Sequence, residues 1–192
     1  MENIYVERVR ANVKRQALYC DMLGSARWVG ELAQRYPARE ITPLTPWFAN
    51  ISIHDVEITG CSTLVDVSAL PEKPVKNFFF GNVKAHCDRI GKICDATKFS
   101  MKDVRIESCD TVMRIDNCDY ASFFGFSNVT TGSSVKIEKT GGECRYLNVQ
   151  TYPLVPVNYQ SIRPGEVWLD TEGKPIQAHG FQVTFREGKY YW

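Results

Sequence analysis

The stretch NISIHDVEI, residues 50–58, alternates apolar and polar side chains and then breaks at a glycine. The same phrase stands at 77–85 as NFFFGNVKA and at 3–11 as NIYVERVRA. Alternation with period two is the mark of a strand that buries one face. A valine near the end of the phrase marks its recurrence at Val9, Val56, Val83, Val104, Val129 and Val149, in steps of 47, 27, 21, 25 and 20 residues. Five of these valines follow Asp or Asn: Asp55, Asn82, Asp103, Asn128 and Asn148; the sixth follows Arg8. A second strand pattern follows in each unit (ALYCD, TLVDV, KICDA, MRIDN, VKIEK) and carries an acid: Asp21, Asp66, Asp95, Asp116 and Glu138.

A unit of some 20–27 residues cannot bury its own apolar face, whereas stacked copies share one continuous core. Helical periodicity is weak, so the repeat predicts an all-β parallel β-helix over 1–152, each strand bonded to its equivalent in the next coil at about 4.8 Å. The Asp/Asn before each valine is expected in a column at a turn, bonded to local backbone. The five acids are expected to form a second column. Such a column could supply a hydrolytic pair, a Ca²⁺ site or a solvated ladder.

The 47-residue step contains an insertion at about 23–47. Trp28, Leu32 and Tyr36 at i, i+4, i+8 predict one short helix there, and Pro37, Pro43 and Pro46 break regular structure beyond it. A long loop on a solenoid lies on its binding face or covers its surface. Arg27 and Trp28 are candidate substrate-binding residues, and Arg35 and Arg39 stand ready to meet carboxylates. After the repeat, 153–164 reads as a proline-bearing linker. Residues 165–192 follow a different pattern of short strands, with turns at Glu172-Gly173 and Glu187-Gly188.

Composition narrows the function. With 23 Lys+Arg against 22 Asp+Glu, the formal charge of +1 offers no footprint for nucleic acid. No apolar run approaches the roughly 20 residues that cross a bilayer, and the first residues lack a signal-peptide core. Seven cysteines without a CxxC pair predict buried or half-buried free thiols and neither a zinc site nor a disulfide framework. No metal or cofactor is assigned. His54 and His86 read as structural, and the Asn-x-Ser/Thr sequences at Asn50 and Asn128 read as strand residues.

The phrases NIYVERVRANVKRQALYCDM, FANISIHDVEI and ALPEKPVKNFFFGNVKA, above all Leu70-Pro71-Glu72-Lys73-Pro74-Val75 followed by Asn77, resemble the last coils of polygalacturonase-type glycoside hydrolases. The resemblance covers about residues 1–150. It implies a right-handed parallel β-helix, a pectic or other plant cell-wall polysaccharide as partner, and descent from enzymes that hydrolyse α-1,4-galacturonosyl linkages with inversion. The family's Asn-Thr-Asp, Asp-Asp, Gly-His-Gly and Arg-x-Lys elements do not occur in this sequence, so no catalytic residue is assigned and the chain alone is expected to be inactive. It reads as the C-terminal coils of a longer hydrolase, whose export signal would lie elsewhere and whose location would be extracellular or periplasmic. A non-catalytic carbohydrate-binding or structural solenoid is the alternative.

The tail, with Trp168, Asp170, Gly173, Ile176, Ala178-His179-Gly180 and Gly188-Lys189-Tyr190-Tyr191-Trp192, resembles the first strands of five-bladed β-propeller glycoside hydrolases. That resemblance implies sugar contacts from His179 and Asp170; a capping hairpin is the alternative.

Overall fold

The structure, a computed structural model, describes residues 1–151, 175, 184–186 and 189–191. Two compact units divide the chain, Met1–Leu154 and Val155–Trp192. The first is a parallel β-solenoid of about four turns. Its strands are β1 (Glu2–Asn12), β2 (Gln16–Asp21), β3 (Ala49–Ser68), β4 (Val75–Glu107), β5 (Val112–Asp119), β6 (Ser122–Phe124), β7 (Ser127–Asn128), β8 (Ser133–Ser134), β9 (Lys136–Gly141) and β10 (Asn148–Gln150). The main path of the sheet runs β1-β3-β4-β5-β9, and each of these neighbours pairs in parallel.

The repeated phrases lie on one another as the alternation requires. Ile4 pairs with Ile51 and Ile51 with Phe78; Val9 pairs with Val56 and Val56 with Val83. β4 is 33 residues long because it runs through two coils. Its halves meet where the rings of Phe78 and Phe99 stack at 5.0 Å and 12°. The inward columns of Val, Ile, Phe and Met form one hydrophobic core, with Phe99, Met101, Val104, Ile106, Met113 and Ile115 fully buried.

The strands bend at left-handed residues that recur in register. One corner column holds Asn3, Asn50, Asn77, Lys98, Tyr120 and Tyr146; a second holds Arg8, Asp55, Asn82 and Asp103 and continues at Gly125, all at positive φ. Asn and Asp adopt this region at less cost than other side chains, which explains why the residue before the marker valine is so often one of them. Their side chains were expected to bond local backbone. They bond instead along the column: Asn77 Nδ2 donates to Asn50 Oδ1 at 2.8 Å, Asn50 Nδ2 to Asn3 Oδ1 at 3.1 Å, and Asn82 Nδ2 to Asp55 Oδ1. The vertical spacing of parallel strands places each amide within reach of the acceptor one coil away.

Two markers sit out of register. Val149 pairs with Phe123, in the column of Met101. Val129 is 54% exposed and lies beyond the short strand β7, its N–H donating to Ile106 O at 2.7 Å. The later coils differ in length, so constant spacing from one valine misplaces them. Asn50 belongs to the corner ladder, and Asn128 is buried and donates to the carbonyls of Ser108 and Asp110 at 2.9 and 2.8 Å.

The insertion departs from its expected single helix. α1 (Ala26–Val29) is one turn, and a 3₁₀ turn covers Gly30–Ala33. Gly30, at φ 58°, reverses the chain between them in a conformation that a helix cannot continue. Among the described residues of the second unit, β11 (Thr184–Arg186) and β12 (Lys189–Tyr191) pair antiparallel, with Glu187 and Gly188 between them in sequence.

Phe99 carries the core through the middle of the stack. Replacing it with Ala should destabilise the solenoid by about 3–5 kcal/mol, read from denaturant midpoints at unchanged m-value. A loss below about 1 kcal/mol would mean that the Phe78–Phe99 stack does not bridge the coils.

Candidate functional site

The expected column of five acids is divided among several columns, because the coils are unequal in length. Tyr19 pairs with Asp66, Asp66 with Lys92, Lys92 with Arg114 and Arg114 with Glu138. Asp21 pairs with Ser68, Ser68 with Cys94, and Cys94 with Asp116. Asp95 falls at a left-handed bend, φ 60°, and is fully buried. The acids are thus separated by bases or neutral residues, with Lys92 and Arg114 adjacent in one column, and no carboxylate ladder forms in these columns.

The same register builds a groove of about 270 Å³ across the outer face of β2, β3, β4 and β5. Three cations line it, Arg89, Lys92 and Arg114, against two acids, Asp66 and Asp110. Both acids are occupied. Asp66 accepts from Gln16 Nε2 at 3.3 Å and faces Lys92 Nζ at 4.0 Å. Asp110 accepts from the N–H of Ile90 at 3.0 Å and of Val112 at 3.2 Å, an arrangement that shapes the turn between β4 and β5. Arg114 lies only loosely against Glu138, at 3.7 Å. Arg89 stands over Thr63 one coil away and has no charged partner among the described residues. Lys92 and Arg114 follow one another at the coil spacing of about 4.8 Å. Gly91 forms the floor. Its φ is 106°, and a Cβ there would lie 1.9 Å from Val65 O, so only glycine lets the coils close beneath the groove.

The insertion is anchored close by. Asp116 stands two residues from Arg114 on the same outer face of β5, and Arg35 reaches it from the insertion with Nη1 at 2.9 Å from Oδ2. The same guanidinium forks onto buried Asp95, Nε to Oδ2 at 2.5 Å and Nη2 to Oδ1 at 2.9 Å. Asn117 Nδ2 adds a donor to Asp95 Oδ1 at 2.6 Å. Hydrogen bonds to Asp95 first, and to Asp116 after it, hold the Arg35 guanidinium more firmly protonated than usual, against the opposing effect of burial. Arg39 ties the 3₁₀ turn by donating to the carbonyls of Leu32, Glu31 and Gln34. Arg35 and Arg39 are thus structural clamps, which corrects the expectation that they face a ligand. Arg27 lies over the ring of Trp28 at 5.2 Å, and Trp28 is 78% exposed. Arg27 and Trp28 belong to the insertion and are not among the residues lining the groove. His179 and Asp170 lie outside the described residues.

His54 joins Tyr5, Glu7 and Asp55 in a hydrogen-bonded chain on another strand face, and His86 meets Glu107 at 3.4 Å. Cys20, Cys61, Cys87 and Cys118 are buried, and burial pushes the Cys20 thiol up to about 11 and the Cys118 thiol up to about 12. Cys109 is exposed, contrary to expectation, because it sits at the turn that Ser108 and Asp110 build between β4 and β5.

Reasoning from the sequence missed Arg89, Lys92 and Arg114. The signal for them was the set of coil lengths: with steps of 26 and 22 residues from Val65 and Asp66, the basic residues fall into one patch. No family model, no curated protein and no solved structure matches the chain.

Removing the anchor leaves a buried carboxylate without its partner. Arg35→Met should therefore cost about 3–5 kcal/mol in denaturant unfolding, and adding Asp95→Asn to it should recover much of that loss. A loss under about 0.5 kcal/mol in the single variant would show that the insertion is not pinned through Asp95.

Proposed function

We propose that this solenoid binds a carboxylated polysaccharide of the pectic class along the basic groove, without cleaving it. The observation that carries the reading is the placement of Arg89, Lys92 and Arg114 around one groove with its two acids already bonded. A planar guanidinium can grip a sugar carboxylate with two parallel hydrogen bonds, and Lys92 adds a point charge. Gln16 and Thr63 supply groups that pair with sugar hydroxyls. A chain laid across successive coils would meet basic residues of neighbouring coils, and this suits a repeating polyanion. The resemblance to polygalacturonases points to the same substrate class.

Several features favour binding over hydrolysis. An inverting glycosidase holds its acid and base some 6.5–9.5 Å apart with water between them. Asp95 and Asp116 are instead both bonded to the Arg35 guanidinium, which occupies the carboxylate oxygens that would face a substrate. Carboxylate oxygens of Glu7 and Asp55 lie within 4.8 Å of one another, too close for that geometry. The family's aspartate-bearing motifs are missing from the sequence.

Calorimetric titration with oligogalacturonides should give binding that weakens with added salt, as screening of an exposed basic patch requires. The triple variant R89Q/K92Q/R114Q should lose at least about tenfold in affinity, since charge-assisted hydrogen bonds are worth about 1.5–3 kcal/mol each. No new reducing ends should form on prolonged incubation. Equal affinity of the variant, or equal binding of a neutral polysaccharide, would contradict the assignment.

A further inference from the structure

We propose that Cys61 and Cys87 are a modification site, a pair of thiols that a peroxide converts to a reversible disulfide fastening β3 to β4. The two residues are register partners on successive coils. Such partners in a parallel sheet stand about 4.8 Å apart, inside the roughly 4.4–6.8 Å between Cα atoms that a disulfide spans. Both side chains belong to the core, 7% and 2% exposed, so they leave their strands toward the same face.

No other cysteine among the described residues faces a cysteine in register. Cys20 pairs with Val67, Cys94 with Ser68 and Asp116, and Cys118 with Ala96, while Cys109 and Cys144 lie outside the strands. The Cys61 S–H donates to the Cys87 sulfur, so the two atoms that would join are already neighbours. That bond, against the opposing effect of burial, holds the Cys87 thiol below its usual range, whereas burial raises Cys20, Cys94 and Cys118. Cys87 is the nucleophile of the pair and Cys61 the thiol that resolves it.

Burial of both sulfurs bars bulky disulfide reagents and leaves a small peroxide as the oxidant. The Cys87 thiolate attacks one peroxide oxygen, the O–O bond breaks, and the departing oxygen takes the thiol proton and leaves as water. The sulfenic acid so formed is attacked at sulfur by Cys61. The S–S bond forms, the S–O bond breaks, and the Cys61 proton leaves with a second water. Two thiols are thus oxidised while both oxygens of one hydrogen peroxide are reduced to water. The bond closes positions 61 to 87 beside the irregularity in the β3–β4 register between Ile58 and Cys61. Two residues on, Thr63 and Arg89 are register partners that line the basic groove, so the same bond holds the register beneath that groove.

The full chain is treated with hydrogen peroxide in native buffer, the remaining thiols are alkylated after denaturation, and the peptides are mapped by mass spectrometry. A peptide pair joined through Cys61 and Cys87 is expected, lighter by two hydrogens than its reduced parts, a readout that needs no variant. In C109S, which removes the exposed thiol, the bond should still form and raise the denaturant midpoint, and dithiothreitol should reverse both. C61S and C87S should each abolish that rise. Ser108, buried beside Cys87, shows that the core accommodates a hydroxyl there. Alkylation of both Cys61 and Cys87 at peroxide levels that oxidise Cys109 would overturn the proposal. So would a bridge from either residue to a different cysteine, or an unchanged midpoint in oxidised C109S.

Discussion

Every coil of this protein must turn where the coil beneath it turns, because parallel strands transmit position through their ladder of hydrogen bonds. The turns are made by residues in the left-handed region, a conformation that costs most L-residues roughly 1–2 kcal/mol. Asn3, Asn50 and Asn77 occupy one corner and Asp55, Asn82 and Asp103 the other, and amide-to-oxygen bonds run along both columns. Once the corners are fixed, the apolar side chains between them have a single way to face inward. Ile51 on Phe78 and Val56 on Val83 are the result.

The same constraint arranges the charges. Outward residues acquire neighbours one coil above and below whether or not those neighbours suit them. In the column Asp66, Lys92, Arg114, Glu138 an acid flanks the two adjacent bases on each side, and small differences in coil length gather Arg89, Lys92 and Arg114 into one groove. The insertion is fastened beside it by Arg35, whose fork onto Asp95 and contact with Asp116 join residues 60 and 81 positions away in sequence. The arrangement of charged groups on this scaffold is therefore set by register more than by local structure.

The fold was legible from the sequence because its signal is periodic and local: alternation within a strand, then the same phrase again. Val9, Val56 and Val83 stack as their phrases suggest. What failed depended on coil length. Val149 looks like a marker but joins the column of Phe123, and Glu138 looks like a partner of Asp116 but pairs with Arg114. A shift of one or two residues leaves the apolar pattern readable while exchanging every charged neighbour. The insertion was legible as an insertion. Its spacing of Trp28, Leu32 and Tyr36 suggested a helix that Gly30 interrupts, and the destination of Arg35, a carboxylate in a distant coil, has no signature in the loop itself.

The measurement that most directly tests the central claim, that register between coils assembles a polyanion-binding face, is amide hydrogen exchange with and without oligogalacturonide. The account predicts slowed exchange at residues 63–66, 89–92 and 112–114, which lie far apart in sequence and share the groove. Protection confined to residues 23–47, or none in those three segments at saturating ligand, would contradict it.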